Sequence, residues 1–221
     1  VNWANVQSRF GRDKFAAKIA GADLIGFVNW TMLTQMEEIW EALLKEICPT
    51  LTGKRRLIFF DLADPEKRKP QDIQRALKTI AEFEKFFDVI LGLNEKEAYE
   101  IGDVLGLKIH DKSSDGLSVL ALEINQRIPT NTLVVHPVSY ALAASKGAVS
   151  LAQGPFTPKP LITTGAGDHF NSGFCLGKLL GLDNALSVLT GVTTSGHYVR
   201  TAQSPTISDL AKMLRDWPAE N

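Results

Sequence analysis

Thr163-Thr164-Gly165-Ala166-Gly167-Asp168-His169-Phe170-Asn171-Ser172-Gly173-Phe174 is the stretch on which the reading of this chain turns. Residues with almost no side chain precede a helical pattern. Such a turn lets backbone N–H groups approach an anion closely. The helix start adds its unpaired donors and the positive end of its dipole. A carboxylate, Asp168, follows directly in the first helical turn. Near pH 7 an ordinary Asp is ionised and able to accept a proton. Donors for a phosphate and a base for a hydroxyl therefore stand side by side, as phosphoryl transfer requires. Taken alone, Gly-Ala-Gly also reads as a tight turn in which Asp168 only favours the helix dipole.

Outward from this stretch the chain alternates. Helices are expected over 12–20, 34–47 (Thr34 as N-cap), 70–87, 94–105 and 113–127, with strands over 23–28, 56–61, 88–93 and 132–136. That rhythm predicts a mostly parallel sheet covered on both faces. Residues 139–144 and 148–153 flank Ser145-Lys146-Gly147 as an antiparallel hairpin. Helices follow over 166–181, 184–200 and 208–217. With 221 residues and 44% hydrophobic content, a single α/β domain over 1–221 is the expectation.

Composition narrows the function. Lys and Arg number 24 against 25 Asp and Glu, which excludes a long electrostatic grip on a nucleic-acid polymer or an acidic membrane. The partner is expected to be a small molecule. No apolar run approaches a membrane span, and no secretory pattern opens the chain. Cys48 and Cys175 stand in apolar company and read as two buried thiols, which points to a reducing, cytoplasmic setting. There is no G-x-x-x-x-G-K-[ST] segment, and no G-x-G-x-x-G follows the first strand, so neither a P-loop nor a Rossmann site is supported. His169 and His197 form no metal pattern, and no zinc is assigned.

Thr163 to Phe170 with Gly173 resembles the C-terminal signature of the ribokinase (PfkB) carbohydrate kinases, D-T-T-G-A-G-D-x-F-x-x-G. The resemblance implies a three-layer ribokinase-like α/β fold. It also implies an ATP- and Mg²⁺-dependent kinase acting on an alcohol of a sugar or sugar-like molecule. It assigns the anion hole to Gly165, Ala166 and Gly167, the base to Asp168, and nucleotide contacts to Thr163 and Thr164. Leu91-Gly92-Leu93-Asn94-Glu95-Lys96-Glu97 resembles the family's N-x-x-E motif, in which Asn and Glu help place Mg²⁺ and phosphate largely through water. Asn94 and Glu97 also have the spacing of a capping box, and both roles can hold together. Asp61 to Arg68 is similar to the family's D-x-N-x-R segment, with Asp64 in place of Asn and a role near the acceptor. Asn29, just after a strand, is expected to line the acceptor cleft.

Departures from the family are informative. Ile162 replaces an Asp that takes part in monovalent-cation binding in several members, so a monovalent cation is left doubtful. His136-Pro137-Val138 stands where many members have Thr-x-Gly, and His136 could take over a phosphate contact. Gly191 and Thr194 lie in the region where the family packs adenine. The family's opening strand, Gly-Gly-Asn-type segment and lid are not seen before Asp23, so the N-terminal strands and lid are expected to be absent. Such lids often mediate dimers, which leaves a homodimer open. The 221-residue chain alone is expected to show little activity. A non-catalytic nucleotide-binding or assembly protein derived from a sugar kinase is the alternative.

Overall fold

The computed structural model describes residues 1–218 and has a mixed α/β fold. Two compact units divide the chain, Val1–Leu133 and from Val134 onward. In the first, α1 (Trp3–Arg9) and α2 (Arg12–Gly21) precede β1 (Leu24–Phe27), β2 (Arg56–Asp61) and β3 (Phe87–Asn94). These strands run parallel, β1 on β2 with Leu24 opposite Leu57, and β2 on β3 with Arg56 opposite Phe87. In β3, Val89, Ile90, Leu91 and Leu93 are fully buried, the signature of a parallel strand covered on both faces.

Helices α3 (Met36–Ala42), α4 (Pro70–Glu82), α5 (Glu95–Val104) and α6 (Ser114–Arg127) belong to the same unit. Trp40 packs edge-on against Phe60 at 5.1 Å, Phe60 meets Phe83 at 5.3 Å, and Phe83 meets Phe87 at 6.1 Å. This aromatic chain anchors α3, β2 and the segment entering β3 in one core. Ser113 caps α6 by accepting the Gly116 N–H.

Two of the expected helices are corrected and one helix is added. Trp3–Arg9, a stretch with no expected element, forms a short helix; Asn2 caps it, and the Trp3 indole donates to Glu46. The helix expected over 34–47 begins at Met36, with Gln35 rather than Thr34 at its N-cap. Its second half widens into a π-helical turn over Leu43–Ile47, and Pro49 lies in the 3-10 turn that closes it. The helix expected over 70–87 stops at Glu82 and tightens into a 3-10 turn over Phe83–Lys85, because Phe87 already belongs to β3.

β4 (Thr132–His136) carries the chain into the second unit. There β5 (Tyr140–Ser145) and β6 (Ala148–Gln153) pair antiparallel, with Ser145 opposite Ala148. Lys146 and Gly147 both have positive φ, 51° and 76°, as the tightest hairpin turn demands. α7 (Ala166–Leu179), α8 (Asn184–Thr201) and α9 (Ile207–Arg215) follow. α7 and α8 pack unusually close: a Cβ at Gly177 would lie 2.8 Å from the Ser187 Cα, and one at Gly173 would strike the Thr194 side chain.

Cys48 and Cys175 are free and buried, and burial pushes both thiols up to about 12, so they stay protonated and inert. Among the described residues no helix is long and apolar enough to cross a membrane.

Candidate active site

In the second unit the glycine-rich stretch forms the turn into α7. Gly165 is its N-cap in the left-handed conformation, φ 87° and ψ 0°, which a residue with a Cβ adopts only under strain. The Ala166 N–H closes the turn on the Thr163 carbonyl, and the His169 N–H reaches the Gly165 carbonyl. Among the described residues nothing accepts the N–H groups of Gly167 and Asp168. They are free donors at the positive end of a 14-residue helix. Asp168 is exposed, and its carboxylate has no hydrogen-bond partner among the described residues.

A cavity of about 240 Å³ opens beside this turn. Thr163, Ala166 and Gly167 form one side, and His136, Tyr140 and Phe156 are among the residues that continue the wall. The α8 side is Val192, Ser195, Gly196 and Val199, a single helical face at i, i+3, i+4 and i+7. Gly191 and Thr194, expected beside adenine, instead face α7: a Cβ on Gly191 would lie 2.7 Å from the Phe170 ring, and Thr194 fills the space left by Gly173. Their small size serves helix packing, and the cavity-facing stripe is offset from them around α8.

His136 lies against Phe170, ring centroids 4.9 Å apart, and its Cε1 would be 3.1 Å from a Cβ on Gly167. Burial lowers its imidazole to about 4, so at neutral pH the ring is uncharged. A phosphate contact from His136 is thereby limited to a neutral N–H donor. The wall segment at Pro155 and Phe156 is held by Arg200, whose guanidinium donates to both carbonyls and to that of Gly196. Burial lowers the pKa of Arg200. Sequence reasoning gave no role to Arg200 and Tyr198 and weighed His169 only as a metal ligand, because no motif marks a side chain that acts on backbone carbonyls.

In the first unit, the loops at the C-terminal ends of β1, β2 and β3 come together, where ligands sit in open parallel sheets. Asn29, exposed and left-handed at φ 65°, leads into a 3-10 turn. The Thr31 N–H joins that turn to the Leu62 carbonyl at 3.0 Å. Arg68 stacks over the Trp30 ring at 4.5 Å and donates to the Thr31 carbonyl. Ala63 and Asp64 are both left-handed, φ 58° and 56°. The Asp64 N–H donates to Glu97 Oε1 at 2.8 Å, and the Asn94 N–H to Oε2 at 2.9 Å. The Asn94 side chain takes the Glu97 N–H, so the capping box is complete. The Asp64 carboxylate itself pairs with Lys67 at 2.9 Å, which holds its pKa below the ordinary value.

Glu97 is buried, and burial raises its pKa against the pull of its two backbone donors. Each Glu97 oxygen already accepts one hydrogen bond and retains a further lone pair. That arrangement fits a hydrated Mg²⁺ held through water rather than a direct bond. Among the described residues, no group of three His, Cys, Asp or Glu side chains is arranged to hold a metal ion.

Residues 1–217 match the family model described as prokaryotic ketohexokinase. A ketohexokinase of Haloferax volcanii is 26% identical over 95% of this chain and 55% of its own length. The chain thus spans about half the length of that relative. The ribokinase structure from Thermotoga maritima is similar with a TM-score of 0.63, at 18% identity over 90% of this chain and 59% of that one. Schistosoma mansoni adenosine kinase, in complex with 2-fluoroadenosine, gives a TM-score of 0.67 at 17% identity over 96% of this chain and 59% of that one. At these identities the structures establish a ribokinase-like fold. With the family model spanning nearly the whole sequence, this chain belongs to the prokaryotic ketohexokinase family.

Proposed function

We propose that this chain, read as one ribokinase-like domain over 1–221, carries the nucleotide-binding and catalytic part of an ATP-dependent kinase that phosphorylates a ketohexose or a similar sugar alcohol. The observation that carries this reading is the pairing of an unengaged Asp168 carboxylate with the free N–H groups of Gly167 and Asp168 at the start of α7. Asp168 takes the proton of the acceptor hydroxyl. The acceptor oxygen then bonds to the γ-phosphorus while the bond to the bridging oxygen breaks, and ADP leaves. The Gly165–Gly167 turn stabilises the charge that spreads over the transferring phosphoryl oxygens; loss of one such donor costs about 2.7–4 kcal/mol.

The apolar cavity beside the turn receives the nucleotide, with Thr163 at the phosphate end and His136 as a neutral donor. Thr164 is not among the lining residues, and its carbonyl is taken by the Tyr198 hydroxyl. Asn94 and Glu97 would hold a Mg²⁺ ion through its water shell, and the ion would supply positive charge against the phosphates. Asn29 and Asp64 belong to the acceptor side. The setting is cytoplasmic, and a homodimer is compatible with this assignment.

The test uses the protein expressed from its full open reading frame. Calorimetry with ATP and Mg²⁺ is followed by ADP release over ketohexoses, aldohexoses, pentoses and nucleosides. Transfer to a ketohexose above the others supports the proposal. Nucleotide binding without transfer to any acceptor supports a non-catalytic derivative instead.

A further inference from the structure

The turn between Thr163 and Ala166 closes on itself through a single backbone bond, the Ala166 N–H to the Thr163 carbonyl at 3.1 Å. Gly165 has no side chain and the greatest backbone freedom to lose, yet its φ of 87° must persist for the N–H groups behind it to keep their aim. Two side chains from outside the turn supply the restraint. Tyr198, on α8, donates its hydroxyl hydrogen to the Thr164 carbonyl at 3.0 Å. His169 places Nδ1 2.7 Å from the Gly165 carbonyl, which also accepts the His169 backbone N–H at 3.0 Å.

These are the carbonyls of two successive peptide groups. A planar trans peptide fixes its N–H opposite its C=O, so the two bonds orient the N–H groups of Gly165 and Ala166. The latter closes on Thr163, and the turn held in this way precedes and aims the free N–H groups of Gly167 and Asp168. The Gly165 carbonyl only accepts, so Nδ1 carries the ring hydrogen. In the neutral ring, Nε2 then accepts from the Ser204 hydroxyl 2.9 Å away. The two rings stack on each other at 3.6 Å with an interplanar angle of 11°, which ties the two restraints into one. Tyr198 also closes the space above Gly165, where a Cβ would lie 3.3 Å from its hydroxyl.

We propose that His169 and Tyr198 are positioning residues that fix the glycine turn for phosphoryl transfer, with Ser204 orienting the imidazole. This rests on the turn being the phosphate-receiving loop. Neither side chain is fully buried, so their weight falls on turn geometry more than on the core.

The test compares Tyr198→Phe, His169→Leu and His169→Asn in the full-length protein. Tyr198→Phe removes one hydrogen bond and keeps the ring. We expect kcat to fall roughly fivefold, the value of one ordinary hydrogen bond, with KM for ATP and sugar and the melting temperature little changed. His169→Leu lowers kcat further. His169→Asn, whose Nδ2 can stand in the place of Nδ1, recovers most of the loss. Unchanged kcat in Tyr198→Phe and His169→Leu overturns the proposal, as does an Asn variant no better than Leu. Amide hydrogen exchange at residues 165–168 is measured in parallel. It should quicken by roughly fivefold in Tyr198→Phe. If the wild type transfers no phosphate, the kinase reading fails by itself, and the exchange rates still decide the positioning role: unaltered exchange refutes it.

Discussion

The Asp64 backbone N–H donates to the Glu97 carboxylate at 2.8 Å, across 33 positions of sequence. That bond joins the left-handed Ala63–Asp64 turn to the cap of α5. A residue that reads as a helix cap in the sequence thus also organises the strand-end loops where an acceptor sugar is proposed to sit.

Glu97→Gln should destabilise the protein by about 1–3 kcal/mol, because an amide N–H₂ then faces a backbone N–H and leaves it unsatisfied. Burial raises the native carboxyl above its ordinary 4.5, so the native state holds that proton more tightly than the unfolded chain. Stability from this group is full below the ordinary value and falls as pH rises through the raised one. Denaturation against pH should show that decline in the wild type and lose it in Glu97→Gln. A variant with the wild-type slope contradicts the assignment.

Gly177→Ala should cost about 1–3 kcal/mol, since its Cβ would lie 2.8 Å from the Ser187 backbone and α7 or α8 must shift. Thermal unfolding of the variant measures this. A gain in stability, as a helical Gly→Ala change gives where space permits, would show that the helices lie farther apart than described.

His136 carries an opposite pH signature. Its native pKa near 4 lies below the ordinary 6.5, so stability is full above 6.5 and falls as pH drops toward 4. The residue as a whole is only partly buried, and the loss over that window should be about 2 kcal/mol. His136→Gln should flatten denaturation curves between these limits.

Arg200→Met should weaken ATP binding by about tenfold, because Pro155 and Phe156 lose the donors that hold their carbonyls and the cavity wall loosens. Calorimetry checks this. Unchanged affinity would remove Phe156 from the nucleotide site.

Legibility in the sequence followed physical range. Alternating strand and helix periods placed β1 to β6 and most helices within a few residues, because burial periodicity is local. The Asn94–Glu97 cap and the Gly165 turn were legible for the same reason: each motif is complete within four residues. Gly191 and Thr194 are ambiguous in the sequence, because small residues serve packing and ligand approach alike, and only the helical phase of α8 shows that they face α7. His169, Tyr198 and Arg200 act over 4 to 45 positions on backbone carbonyls, which have no residue identity for a pattern to catch.

The most direct test is Asp168→Asn in the full-length protein, with kcat and ATP affinity measured together. A base that accepts the acceptor proton contributes about 10²–10⁴-fold, so kcat should collapse by that factor while ATP binds nearly as before. Turnover that survives the substitution would contradict proton transfer to Asp168 and, with it, the assignment of the α7 turn as the place of phosphoryl transfer.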